Sequence, residues 1–313
     1  MNMDKDNSNP APPIPPRVPP VIAQAPVWTP PPRKPFPGFW QAVGLLGIAF
    51  ATIMIVSFPI GLADGLLNMQ FSRNPWLLGI INAVGIGVAC GIGLVLARAT
   101  FREVYPLHFS GWMLLVPMLV LSVGAHILLS EVDNVMRRAI PPAEWMQELF
   151  EGLLGPSSSF FGGLFLLVIV APLTEEFLFR GLILRGFLAR YSAGTAIVGS
   201  ALLFGAFHLN LPQAVAATGL GIIYGWWYWK TRSLIPCIFG HAVNNGLSFV
   251  ASRSTALEIP GYTMPVIDGV QQFQPWWFNL TGLGLTVAGA LWLYLALARR
   301  ERVTLSSQQP FSQ

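Results

Sequence analysis

The sequence predicts an all-α polytopic membrane protein with about eight transmembrane helices and both termini in the cytoplasm. Three observations predict it. The chain is 53% hydrophobic and 10% charged, with a mean hydropathy of +0.57, against roughly 25% charged residues in an ordinary soluble domain. Its apolar residues fall in several runs of about 20, long enough to cross a ~30 Å hydrocarbon layer as helices. Lys and Arg are concentrated in alternate connections between those runs, as the positive-inside rule requires.

Residues 1–37 form the first element, a proline-rich segment typified by Pro12, Pro13, Pro15 and Pro16. Proline removes backbone donors and favours extended polyproline II, so a disordered cytoplasmic tail is expected. Asp4, Lys5 and Asp6 followed by prolines do not have the apolar core of a cleavable signal peptide, so insertion is expected to be directed by the membrane helices themselves. The membrane domain is expected over 38–300, with spans at 39–62, 76–97, 111–130, 158–184, 195–210, 212–229, 234–251 and 277–298, and a short cytoplasmic tail over 301–313. A cytoplasmic N-terminus puts Arg33, Lys34, Arg98, Arg102, Arg185, Arg190, Lys230, Arg232, Arg299, Arg300 and Arg302 inside, leaving Arg73, Arg137, Arg138 and Arg253 outside. An even number of spans is needed to keep that alternation.

The third loop places Trp145, Met146, Leu149 and Phe150 at helical spacing among Glu131, Asp133, Glu144, Glu148 and Glu151, which predicts an amphipathic helix on the outer surface. Asp64 is expected at the outer end of the first span. Cys90 and Cys237 both lie in apolar stretches and offer neither a disulfide framework nor a CxxC metal site. The formal charge of +4 is spread between spans, so nucleic acid is not an expected partner.

Chemistry concentrates in the later spans. The fourth carries Pro172, Glu175, Glu176 and Arg180, where each charge costs at least a few kcal/mol. Glu176 and Arg180 are four apart in the favourable acid-first order and are expected to pair. Glu175 points to another face and stays unpaired, beside a helix that Pro172 opens by freeing the carbonyl of Val168. The fifth span brings Phe204 one turn before His208, and the seventh brings His241 one turn before Asn245. The midpoint between Glu175 and His208 falls in Tyr191–Gly194, so a hairpin there sets those two residues opposite each other at similar depth. A free carboxylate, two imidazoles and an amide converging in the membrane point to a functional site rather than to scattered packing contacts. His108 and His126 have no such company and read as structural.

Glu175-Glu176-x-x-x-Arg180-Gly181, Phe204-x-x-x-His208 and His241-x-x-x-Asn245 together resemble the three motifs of the CPBP family, the CAAX-processing and bacteriocin-processing intramembrane endopeptidases. The resemblance covers about residues 157–251, in family order and with no defining residue altered. It implies an eight-helix fold that hydrolyses a peptide bond near the cytoplasmic membrane face, acting on a membrane-associated protein or peptide. By position, Glu175 and His208 would activate water, His241 and Asn245 would hold the oxyanion, and Glu176, Arg180 and Phe204 would support them. Many relatives being bacterial, a bacterial plasma membrane is the expected location.

The family is commonly classed as metalloprotease, and Glu175, His208 and His241 are the candidate ligands for a zinc with one open position. H-E-x-x-H is absent, and metal-free water activation is slightly favoured. Two other classes stay open at this point. One is a non-catalytic bacteriocin-immunity or peptide-binding membrane protein. The other is a proton-coupled transporter, against which the chain shows no paired halves with matching broken helices.

Overall fold

The computed structural model describes residues 35–67, 69–155, 158–254, 256–267 and 270–307. The proline-rich segment up to residue 34 and the last residues of the expected C-terminal tail, 308–313, lie outside that set. The described chain is helical almost throughout: α1 Phe39–Leu67, α2 Pro75–Ala97, the single-turn α3 Phe101–Val104, α4 Trp112–Ala139 and α5 Glu144–Leu154. These are followed by α6 Phe160–Leu188, α7 Ala193–Phe207, α8 Leu211–Thr231, α9 Ile235–Ala251 and α10 Trp276–Ser307. A two-residue antiparallel pair, Val266–Ile267 with Val270–Gln271, lies in the loop before α10.

An all-α membrane protein is what the chain is. Among the described residues five helices, α1, α2, α4, α6 and α10, are long and apolar enough to cross a membrane. The other three expected spans are also helices but differ from that set: α7 has 15 residues and α9 has 17, while α8 carries Gln213, Thr218, Tyr224, Tyr228 and Lys230. At 1.5 Å per residue, α7 and α9 are shorter than a ~30 Å core. Outward-facing apolar side chains such as Ile55 and Phe58, each 72% exposed, form the surface that a bilayer would solvate.

Local chemistry sets the helix ends. Asn74, Ser159 and Ser192 accept hydrogen bonds from Trp76, Gly162 and Thr195 main-chain N–H groups and cap α2, α6 and α7. Pro212 and Pro236 occupy the first turns of α8 and α9, where no N–H is required. Asp64, near the end of α1 as expected, accepts from Phe71 and Ser72 N–H at 2.8 and 2.7 Å and anchors the following turn, a structural role.

The third expected span is too short by nine residues: α4 runs on to Ala139, so Glu131 and Asp133 belong to it rather than to the loop. An ion pair between Asp133 and Arg137, one turn apart, helps the helix to continue past its apolar part. The expected amphipathic helix then forms as α5. Likewise α10 continues through Arg302 to Ser307 where a tail was expected.

Small residues draw the helices together, as is usual where hydrophobic driving force between helices is weak. A Cβ placed on Gly124 of α4 would lie 2.4 Å from the Thr286 nitrogen of α10, and one on Gly205 of α7 would lie 2.5 Å from the Ala214 carbonyl of α8. The second contact holds α7 against α8 next to the turn that carries His208.

Candidate active site

The geometry begins with an irregularity in α6. Residues Phe165–Val170 and Phe177–Leu184 are π-helical, flanking a short α-helical stretch Ala171–Glu176. In the first π-stretch the Ala171 N–H reaches back five residues to the Leu166 carbonyl, and Pro172 has no N–H to offer its own i−5 carbonyl, that of Leu167. The carbonyl left without a main-chain donor is therefore Leu167's, one residue before the Val168 expected from ordinary α-helical spacing. Asn245 of α9 fills the gap, its Nδ2 donating to the Leu167 oxygen at 2.9 Å.

Beside this junction sit the charged groups. Glu175 is 7% exposed, Glu176 is fully buried and Arg180 is 1% exposed. The expected pair forms, with Arg180 Nη1 donating to Glu176 Oε1 at 2.9 Å. Arg180 also donates through Nη2 to the Gly221 carbonyl of α8 and stacks its guanidinium 4.6 Å from the Phe204 ring. The spacing did not reveal that Glu176 Oε1 is shared: His241 Nδ1 lies 2.9 Å from it. A carboxylate that already pairs with Arg180 can only accept, so His241 carries its proton on Nδ1 and turns Nε2 toward the rest of the site.

That Nε2 lies 3.9 Å from Glu175 Oε2. Glu175 Oε2 and Glu176 Oε2 are both buried and have no hydrogen-bond partner among the described residues. Such a group costs free energy in a packed apolar interior. The imidazole within ion-pair distance of Glu175 is thus His241's.

His208 is the C-cap of α7, at the bend into α8, rather than a residue within a span. Its Nδ1 lies 3.0 Å from the Phe204 carbonyl, to which it can only donate, leaving Nε2 as the acceptor of the neutral ring. The Phe204 ring stands edge-on to both imidazoles, 5.2 Å from His208 and 5.7 Å from His241. Phe204 therefore joins the two histidines and the arginine, a larger role than packing on His208 alone. Tyr224 of α8 stacks on His241 from another side, with ring centroids 5.9 Å apart.

Of the residues that the sequence singles out, Glu175, Glu176, Arg180, Phe204 and His241 make one contiguous cluster. His208 meets it through Phe204, and Asn245 through the π-stretch of α6. Sequence reasoning passed over Tyr224 and Asn244 and read His126 as structural. His126 Nδ1 lies 3.0 Å from Asn244 Oδ1, and Asn244 Nδ2 donates to Asn245 Oδ1 at 3.2 Å. The available signal was the rarity of any imidazole in a membrane helix.

For a metal, the described residues gather no group of three or more His, Cys, Asp or Glu side chains in a metal-holding arrangement. Glu175 and His241 approach each other, while His208 does not complete a three-ligand set with them. The donor set does not fit a zinc centre of the usual kind.

Residues 157–247 match the family model described as Type II CAAX prenyl endopeptidase Rce1-like. The match supports the resemblance of this segment to the CPBP family of intramembrane proteases. The match begins at the start of α6 and ends within α9, so it takes in every residue of the cluster. No curated protein and no solved structure matches the chain.

Proposed function

We propose that the chain is an intramembrane endopeptidase that hydrolyses a peptide bond in a membrane-associated protein or peptide near the cytoplasmic membrane face, in the manner of the type II CAAX prenyl proteases. The observation that carries the proposal is the buried, unpartnered Glu175 Oε2 facing His241 Nε2, an imidazole whose other nitrogen is held by the Glu176–Arg180 pair. Burying such a carboxylate without a partner is expensive, and function is the reason it persists.

Amide hydrolysis needs a base for water and donors for the developing oxyanion. In the proposed step Glu175, with His208 Nε2 as a second acceptor, takes a proton from water while its oxygen bonds to the scissile carbonyl carbon. The carbonyl oxygen becomes an oxyanion, met by the second N–H of the Asn245 amide and by His241 in its protonated form. Collapse breaks the C–N bond, and the proton held on Glu175 passes to the leaving amine, giving one carboxylic acid and one amine, which become carboxylate and ammonium when the acid's proton moves to the amine. Arg180 and Glu176 cancel each other, so one proton distributed between Glu175 and His241 leaves the buried cluster neutral. No step is routed through a metal, since the donor set does not supply one.

The eight-span topology with both termini inside stays part of this proposal, as does a bacterial plasma membrane. The deciding experiment is substitution followed by cleavage of a membrane-associated peptide by purified, folded protein. Glu175→Ala and His208→Ala are each expected to abolish cleavage, and normal cleavage by a folded Glu175→Ala protein would reject Glu175 as the base.

A further inference from the structure

We infer that His126 of α4 and Asn244 of α9 are positioning residues that fix which way the Asn245 amide faces in the proposed endopeptidase site. The inference rests on that reading of Asn245 as an oxyanion donor and adds two residues that the sequence motifs do not include.

Donor and acceptor capacity fixes each amide in turn. The Leu167 carbonyl can only accept, so it demands an N–H from Asn245, and the 2.9 Å contact supplies it. Asn245 Oδ1 is then the atom that faces Asn244, and it can only accept, which it does from Asn244 Nδ2 at 3.2 Å. With its nitrogen committed, Asn244 presents Oδ1 to His126, so Nδ1 of His126 must be the donor across their 3.0 Å contact. Each bond forces the next. The Asn245 amide is held at both its oxygen and one of its two N–H groups, and the second N–H is the one group left over for a substrate.

Helix connectivity makes the chain of bonds consequential. His126 belongs to α4, Asn244 and Asn245 to α9, and Leu167 to the π-stretch of α6. His126 is 5% exposed, and its Nε2 makes no hydrogen bond among the described residues. Only Nδ1 therefore contributes a polar contact. Tyr262 of the loop before α10 covers the ring edge-on, with centroids 5.6 Å apart, which limits its freedom to turn away.

If His126 is lost, Asn244 can rotate its amide, bring Oδ1 against Asn245 Oδ1 and release that end of the Asn245 side chain. Leu167 still holds the other end, so the loss is partial. Removal of a group that orients a ligating or catalytic side chain typically costs 10–100-fold.

The test uses the full chain in detergent or proteoliposomes with a membrane-associated peptide that the wild type cleaves. His126→Phe is expected to lower kcat about tenfold with KM nearly unchanged, and His126→Asn, whose amide places an N–H near the Nδ1 position, should recover most of that loss. Because His126 acts only through Asn244, adding His126→Phe to Asn244→Ala should lower kcat no further, a non-additive cycle. Full activity of His126→Phe, no recovery by His126→Asn, or an additive cycle would each overturn the inference. Should His126→Phe fail to fold, as judged by its thermal melt, His126→Asn against His126→Leu carries the same comparison. The Glu175→Ala protein keeps the two proposals apart. If it cleaves normally, the endopeptidase reading of the site fails, whereas a dead Glu175→Ala beside a fully active His126→Phe rejects the positioning role alone.

Discussion

Glu131, toward the C-terminal end of α4, and Glu175, midway along α6, are carboxylates in similar helical settings with opposite surroundings. Glu131 Oε2 accepts from Asn134 Nδ2 and from the Gln274 N–H, each at 2.9 Å. Asn134 in turn donates to the Gly261 carbonyl and accepts from Gln271 Nε2. That network ties the loop before α10 to α4, and nearly every polar atom in it has a partner, Gln274 Oε1 being left open. Around Glu175 the bookkeeping is reversed: one oxygen of each glutamate, the Arg180 Nε and the Tyr224 hydroxyl are all buried without hydrogen-bond partners among the described residues. A polar network that satisfies itself stabilises the fold, and one that leaves valences open in an apolar interior is arranged for something else.

Removal of Glu175 tests the contrast most severely. Glu175→Ala is expected to lower the cleavage rate at least about 10³-fold, within the range of a lost general base, while the melting temperature holds or rises because a buried, unpaired carboxylate disappears. Cleavage and thermal melts on the same purified sample check both parts. A large drop in melting temperature would move Glu175 into the same class as Glu131 and erase the distinction.

The ion pair gives the next largest effect, because it belongs to both classes at once. Arg180→Met leaves Glu176 with His241 alone and should destabilise the protein by about 3 kcal/mol, the lower end for breaking a buried pair. Pairing it with Glu176→Gln should return most of the stability by removing the uncompensated charge, yet leave cleavage impaired, since a Gln amide would not hold the His241 N–H as a carboxylate does. If the double variant regains both, the pair only locks helices together and has no share in the chemistry.

Asn134→Ala is the matching experiment at the C-terminal end of α4. It removes the contacts to Glu131, Gly261 and Gln271 and is expected to cost about 1–3 kcal/mol, seen as a lower melting temperature with kcat per folded molecule unchanged. A fall in kcat at full folding would mean that the loop it anchors reaches the site, through the Tyr262 contact on His126.

The same contrast separates what was legible in the residues from what was not. Contacts within one helix were readable: Glu176 with Arg180 and Phe204 with His208 follow from fixed periodicity, whereas the turn expected at Tyr191–Gly194 lies about two residues earlier, between Leu188 and Ala193. Contacts between helices were not, because spacing does not set the rotation of one helix about its axis. That is why Glu176 was assigned to Arg180 alone and why His126, whose partner is 118 positions away, read as structural. The π-register of α6 was hidden for a related reason. Pro172 announces a freed carbonyl, but which carbonyl depends on the register adopted once Asn245 is there to receive it. Helices were legible as apolar runs, and the extension of α4 was missed because a charged i, i+4 pair prolongs a helix without adding hydropathy.

The smallest expected effect is the response to chelation, and it sharpens the comparison by asking whether either acidic region is a metal site. The Glu131 network spends its carboxylate on amide and backbone N–H groups, and the Glu175 cluster spends one face of His241 on Glu176. Neither assembles three ligands among the described residues. Purified protein treated with a strong chelator is therefore expected to keep its cleavage rate, and elemental analysis should find zinc well below one per chain. Chelator-sensitive cleavage that zinc restores, at one zinc per chain, would show that His208 turns in to join Glu175 and His241. The open valences around Glu175 would then be ligand positions rather than the seat of a base.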